Sequence, residues 1–263
     1  MNLVRATATI GSLTLLSRIA GFVRDVLQAS LLGAGMAADA FLIAQRLPNL
    51  FRALFAEGAF ASAFVPMFNR QVGGDGGRID GARRFAEDVL SALLPVLLLF
   101  TVVMVAGAAP VVWALTGGFP DASPDKLALT VQFTRLTFPY LALISLVSLL
   151  GGLLNSVGRF AVNAAAPILL NLVLIAGLLW SGGDDEVRAG RVQALCVTLG
   201  GVAQLVWLLW SCQRAGISLR LRLPRITPQV RTLMQLILPA ALGAGAVQVN
   251  LLISTALAAR FLG

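Results

Sequence analysis

Seven stretches of about twenty or more mostly apolar residues divide this sequence, at 7–33, 38–68, 86–115, 127–154, 161–181, 190–212 and 232–260. A helix of about 20 apolar residues crosses the hydrocarbon of a bilayer. No water is present there to satisfy the backbone, so each spanning segment has to pair its own N–H and C=O groups. The sequence therefore predicts an all-α, polytopic membrane helix bundle. Charged residues make up 12% of the chain, against about 25% in soluble domains, and this agrees.

The second stretch is too long for one straight crossing and contains Pro48 and Pro66, so it is expected to kink or break there. Pro95, Pro139, Pro167 and Pro239 also fall within spans. They are tolerated where neighbours satisfy the freed carbonyls. Gly151-Gly152 and Gly200-Gly201 lie inside helices, where small residues permit close approach.

The connecting segments set an orientation. With the N-terminus inside, eleven arginines fall on inner segments: Arg5, Arg70, Arg78, Arg83, Arg84, Arg159, Arg214, Arg220, Arg222, Arg225 and Arg231. Three cations, Lys126, Arg188 and Arg191, fall outside. The positive-inside rule then predicts a cytoplasmic N-terminus. Residues 214–231 hold five of these arginines with Pro224 and Pro228, and read as a basic cytoplasmic linker. It is expected to join a first lobe of about six helices, 1–213, to the first helix of a second lobe, 232–263. Ala29-Ser30-Leu31-Leu32-Gly33 and the closing Ala259-Arg260-Phe261-Leu262-Gly263 echo each other faintly, as repeated halves would. On that reading the chain stops one helix into its second half.

The first two spans carry the charges. Arg18, Arg24 and Asp25 lie in the first, and Asp39, Arg46, Arg52 and Glu57 in the second. A charge at membrane depth costs at least ~2.5 kcal/mol, so each is expected to face a partner or a wet cavity. Four arginines against three acids leave one net positive charge, which suits an anionic cargo. Arginine stays ionised, and its planar fork binds phosphate oxygens in pairs. On ideal helices Arg18 and Asp25 share a face, as do Asp39 and Arg46, and Asn49 neighbours Arg52. The plainer alternative is internal pairing: Arg18 with Asp25, Arg46 with Asp39, Arg52 with Glu57. That scheme leaves Arg24 without an obvious partner. Arg135 and Arg260 lie near outer helix ends and are expected to snorkel to the interface.

Several function classes are excluded. The net charge of +8 is distributed between and within apolar segments, not along a basic stripe with exposed aromatics, so nucleic acid is not an expected partner. There is no histidine, which removes the commonest metal ligand and general base. Cys196 and Cys212 lie sixteen residues apart on one predicted helix, about 24 Å, too far to bridge. No phosphate-binding glycine loop, metal cluster or nucleophile elbow is present, so the chain is not read as an enzyme and no metal site is expected.

The string Ser17-Arg18-Ile19-Ala20-Gly21-Phe22-Val23-Arg24-Asp25, with Gly33-Ala34-Gly35 and Ala38-Asp39-Ala40-Phe41, resembles the start of the MurJ (MviN) lipid II flippases. So do Leu47-Pro48-Asn49-Leu50-Phe51-Arg52, Phe55-Ala56-Glu57-Gly58-Ala59-Phe60, and Ala63-Phe64-Val65-Pro66. Thr137-Phe138-Pro139-Tyr140, and Leu154-Asn155 before Arg159-Phe160, extend the likeness. The resemblance implies the multidrug/oligosaccharidyl-lipid/polysaccharide (MOP) exporter fold, in which two six-helix lobes flank a central cavity. It implies transport of lipid II, an undecaprenyl-diphosphate-linked peptidoglycan precursor, from the inner to the outer leaflet of the bacterial cytoplasmic (inner) membrane. By resemblance Arg18, Arg24, Asp25 and Arg52 are substrate-binding, while Asp39, Arg46, Asn49 and Glu57 are linked to gating or transport. Its partners would be lipid II, membrane lipids and the C-terminal lobe. No cofactor is implied, and the membrane potential is a candidate driving force. Some members hold sodium through an Asp on the seventh helix. Here span seven has Gln248 and Asn250 but no acid, so sodium is not carried over. The alternatives are another carrier of the superfamily, for lipid-linked polysaccharide or drugs, and a non-transporting membrane scaffold.

Overall fold

The structure is a computed structural model that describes residues 3–52, 60–74, 79–116, 124–183, 185–237 and 239. The elements are α1 (Leu3–Leu32), α2 (Met36–Arg52), α3 (Phe60–Gly74), α4 (Ile79–Ala106), α5 (Ala108–Thr116), α6 (Pro124–Thr137), α7 (Tyr140–Ser156), α8 (Phe160–Ser181) and α9 (Glu186–Arg214). Residues 228–237 are helical as well. The all-α expectation holds throughout the described residues. Among the described residues four segments are long and apolar enough to cross a membrane: Gly81–Ala106, Pro124–Ser156, Phe160–Ser181 and Glu186–Arg214. The chain is a multi-pass membrane protein.

The third and fourth predicted spans are two helices each, and the breaks have local causes. The second span contains α2 and α3, with residues 53–59 between them outside the described part, and Pro48 and Pro66 lie inside these helices. The break expected at a proline does not occur here. Pro48 has no N–H for the carbonyl of Ala44, and that oxygen accepts instead from the Thr137 hydroxyl at 3.0 Å. A neighbouring side chain has replaced the missing bond, so the helix continues. The third span parts at Gly107, between α4 and α5. Pro110 supplies no N–H for the carbonyl of Ala106 and crowds it sterically. The fourth parts at Phe138-Pro139, between α6 and α7. There Thr198 of α9 donates to the Leu136 carbonyl at 2.6 Å.

Helix α9 lies at the centre, packed on α8, α7, α6 and α2, while α8 also packs along α1. Close approach depends on glycine at named places. A Cβ on Gly201 would stand 2.7 Å from the Tyr140 ring, and one on Gly190 2.8 Å from the Phe133 ring. Polar side chains of α9 then fasten the neighbours: Gln193 donates to the Leu174 carbonyl at 3.0 Å, and Trp207 to that of Val162 at 3.2 Å. Leu98, Leu99, Val102 and Val103 on α4, and Leu199, Val202 and Val206 on α9, remain exposed. Apolar surface of this extent on a bundle suits lipid. Both cysteines are free and buried on α9, as expected of packing residues.

From Arg214 to Ile237 the chain stays on the bundle. Ile217, Val230 and Leu233 are buried in the same core. The intervening residues run beside α4, where the Arg220 amide donates to Glu87 Oε1 at 3.2 Å and the Arg222 amide to Ser91 Oγ at 3.0 Å.

Candidate functional site: a polar chamber within the bundle

A cavity of about 600 Å³ opens between α1, α2, α3, α7, α8 and α9. On α7 its lining residues are Tyr140, Ile144, Val147, Ser148, Gly152 and Asn155, at spacings that keep them on one helical face. Asn163 and Asn171 of α8 lie eight residues apart and line it together, and Gln204 of α9 closes the back. Gln45 and Asn49 enter from α2 and Arg24 from α1. Among the described lining residues Arg24 is the one carrying a full charge.

The guanidinium of Arg24 is held from two sides. Its Nε and Nη2 donate to Asp25 Oδ1 at 3.0 and 2.6 Å, and Nη1 donates to Asn171 Oδ1 at 2.9 Å. Asn171 in turn donates through Nδ2 to the Ser17 carbonyl at 3.1 Å. This buried carboxamide ties α8 to α1 and fixes the direction of the arginine. A guanidinium has five N–H donors, and three are engaged here. Among the described residues that leaves one on each terminal nitrogen for an incoming anion. The Arg24 side chain is 23% exposed and that of Asp25 64%, so the ion pair lies where the chamber meets its surroundings.

The internal-pairing scheme is corrected at each place the structure describes. Asp25 pairs with its neighbour Arg24, not with Arg18. Arg24, which that scheme leaves alone, has two partners. Asp39 pairs with Lys126 of α6 at 2.7 Å, not with Arg46. Sharing a helical face does not decide these pairs, because a long cation from the next residue or the next helix reaches the carboxylate more directly.

The other expected residues scatter. Arg18 and Arg46 are exposed on α1 and α2 and do not line the chamber. Asn49 lines it. Arg52 is the last residue of α2, with its side chain outside the described part, and Glu57 lies outside the described residues. Arg135 is exposed, at the rim of a shallow hollow of about 520 Å³ that also involves Asp125 and Gln132. Arg260, Gln248 and Asn250 lie outside the described residues. No cluster of metal-binding side chains occurs among the described residues.

Charge alone does not find the carboxamides of the chamber. Gln45, Asn163, Asn171 and Gln204 each sit within an apolar span and carry no charge to mark them. A carboxamide is costly to bury without partners, so lone Asn and Gln residues in such spans are the available signal.

Residues 28–262 match the family described as lipid II flippase MurJ. A probable lipid II flippase MurJ of Rhizobium meliloti (strain 1021) is 46% identical over 261 residues, which cover 98% of this chain and 48% of that protein. The lipid II flippase MurJ of Burkholderia cenocepacia is 36% identical over 268 residues, covering 99% of this chain and 50% of that protein. A solved structure of a lipid II flippase MurJ in an inward closed conformation is similar in fold, with a TM-score of 0.70 at 21% identity. It covers 93% of this chain and 49% of that one. The chain thus spans about half the length of the curated relatives it matches.

Proposed function

The chain belongs to the lipid II flippase MurJ family, and on that premise we propose that it is the N-terminal lobe, with part of the next unit, of a carrier for lipid II. The carrier moves the diphosphate-linked headgroup from the inner to the outer leaflet by alternating access, and it is not an enzyme. Arg24 is the primary anion receptor, and Arg18, which lies outside the chamber, and Arg52 are further substrate-binding arginines. Asp39, Arg46, Asn49 and Glu57 serve gating or transport. The single observation that carries this reading is the position of Arg24: a guanidinium aimed by Asn171, with donors to spare, on the wall of a polar chamber inside an otherwise apolar bundle.

The cycle rests on elementary electrostatics. The headgroup enters from the cytoplasmic side and its phosphate oxygens take the free N–H groups of Arg24. The charge on Asp25 competes for the same fork, so the bound anion is held without being trapped. Moving a charge through the membrane field is worth ~2.3 kcal/mol per 100 mV, enough for the membrane potential to bias the return step without any cofactor. The protein lies in the bacterial inner membrane with its N-terminus cytoplasmic. Eleven of fourteen loop cations fall on that side. In the fold Arg159 reaches the Arg214 carbonyl at 3.5 Å, which brings two of the inner connections together.

The test is complementation. A bacterium depleted of its own lipid II flippase receives the full-length gene or its Arg24→Ala variant, and lipid II in the outer leaflet is assayed. Export by the wild type and its loss by at least tenfold in a well-expressed variant are expected. Normal export by Arg24→Ala sinks the receptor assignment. No export by a well-expressed wild type sinks lipid II as the cargo.

A further inference from the structure

The segment after α9 carries charge and apolar surface that the bundle does not use. From Ile217 to Arg231 it holds four arginines and no acid. Ile217 is buried in the core and Leu219 packs against it. Leu221, Leu223 and Ile226 do the opposite and are 67%, 80% and 74% exposed. Arg220 and Arg225, exposed beside them, form no ion pair among the described residues, whereas Arg222 is held by Glu87.

The position of the segment identifies what it meets. Its Arg220 and Arg222 amides bond to Glu87 and Ser91, so it runs along α4. At 3.6 residues per turn, Leu98 and Val102 return to the same face of that helix about 10–17 Å further on. They are 52% and 63% exposed, on surface that suits lipid. The segment therefore covers one end of a lipid-facing stripe, which on the orientation proposed above is the inner-leaflet end. The end of α9 fixes the depth. Trp210 is 42% exposed there, with the Arg214 guanidinium 4.0 Å above its ring, and such residues sit at the level of the headgroups.

We infer that residues 220–226 form a binding site for an anionic phospholipid, separate from the chamber. Its phosphate lies on Arg220 and Arg225, whose guanidinium groups match phosphate oxygens. Its acyl chains lie over Leu221, Leu223 and the α4 stripe. A protein face would need acids placed to match these arginines, while a leaflet of anionic lipid supplies negative charge at every position.

The full-length gene product is placed in nanodiscs of phosphatidylcholine alone or with phosphatidylglycerol, and amide exchange is followed at Leu221, Leu223, Arg225 and Ile226. Phosphatidylglycerol is expected to slow exchange there at least fivefold and to leave the middle of α9 unchanged. The double variant Arg220→Gln with Arg225→Gln keeps Arg222 on Glu87 and should lose the slowing. Leu221→Ser with Leu223→Ser should reduce it at least twofold. Both leaflets of a nanodisc carry the lipid, so the result depends neither on orientation nor on the cargo of the chamber. Equal exchange of the wild type in the two discs would mean that water or the rest of the chain covers the segment, and overturns the site. Slowing that persists in the arginine variant overturns it as well, since the headgroup would then be bound elsewhere.

Discussion

Arg24 stands between a carboxylate that neutralises it and a carboxamide that aims it. The two neighbours have opposite consequences for an incoming anion. Asn171 leaves the positive charge intact and fixes its direction. Asp25 occupies one side of the fork through Nε and Nη2, so a phosphate seeking a paired contact there must displace it. Replacing Asp25 by Asn keeps the shape and removes the competing charge. The Asp25→Asn variant is therefore expected to bind a polyprenyl diphosphate roughly tenfold more tightly, ~1.4 kcal/mol, and to turn over more slowly because release is hindered. Binding and export measured on one preparation check both halves, and weaker binding would show that Asp25 supports the site instead of competing for it. The arginine and its neighbour are legible in the sequence because charges in an apolar span are conspicuous. Their pairing is not, since ideal helix geometry places Asp25 with Arg18, whereas the flexible Arg24 side chain folds onto the adjacent residue. Asn171 is illegible for another reason. Its importance arises only when α8 packs on α1, a contact between residues 147 positions apart.

Among the elements, proline shows how tertiary contacts override a local rule. Pro48 frees the Ala44 carbonyl inside α2, and the Thr137 hydroxyl of the crossing α6 takes it. Thr137→Val keeps the shape but removes that donor and should cost about 1–3 kcal/mol, the range for a buried unsatisfied carbonyl. Pro48→Ala restores the helix N–H, so the double variant should recover much of that loss. Thermal unfolding of the four proteins in detergent forms the cycle. Additive effects would show that the two residues act independently. The helical character and order of the first six spans are legible from apolar length alone, while most of the seventh lies outside the described residues. The breaks are less so: Pro48 and Pro66 lie inside α2 and α3, while the break at Phe138-Pro139 coincides with a proline. Pro48 sits in an unbroken helix whose freed carbonyl a neighbour takes, and the identity of that neighbour is not a property of the local sequence.

For the whole molecule, the basic segment after α9 decides whether the bundle ends at Arg214 or continues. Its four arginines and two prolines read as a linker between two units. In the fold it is strapped along α4 by a carboxylate that charge counting along the chain does not single out. Glu87 is fully buried, with Arg222 Nε 2.7 Å from one oxygen and Arg83 Nε 3.4 Å from the other, and it also accepts the Arg220 amide. A carboxylate buried without such partners would be strongly disfavoured, so the cations that read as topology signals also complete the core. The strap carries the chain onward into the helical residues 228–237. Its attachment is measurable without any assay of transport. Glu87→Ala removes a charge-assisted bond of about 1.5–3 kcal/mol, so amide exchange at Arg220 should accelerate roughly ten- to a hundredfold if the strap opens locally. Exchange at Arg222 should rise with it, although that amide bonds to Ser91 and not to Glu87, because the two amides share one extended segment. Exchange within the middle of α9 should stay unchanged. Acceleration at Arg220 alone would mean that Glu87 caps a single amide. Acceleration across both the strap and α9 would mean that the carboxylate supports the bundle as a whole, and that the strap is not a separate cooperative unit.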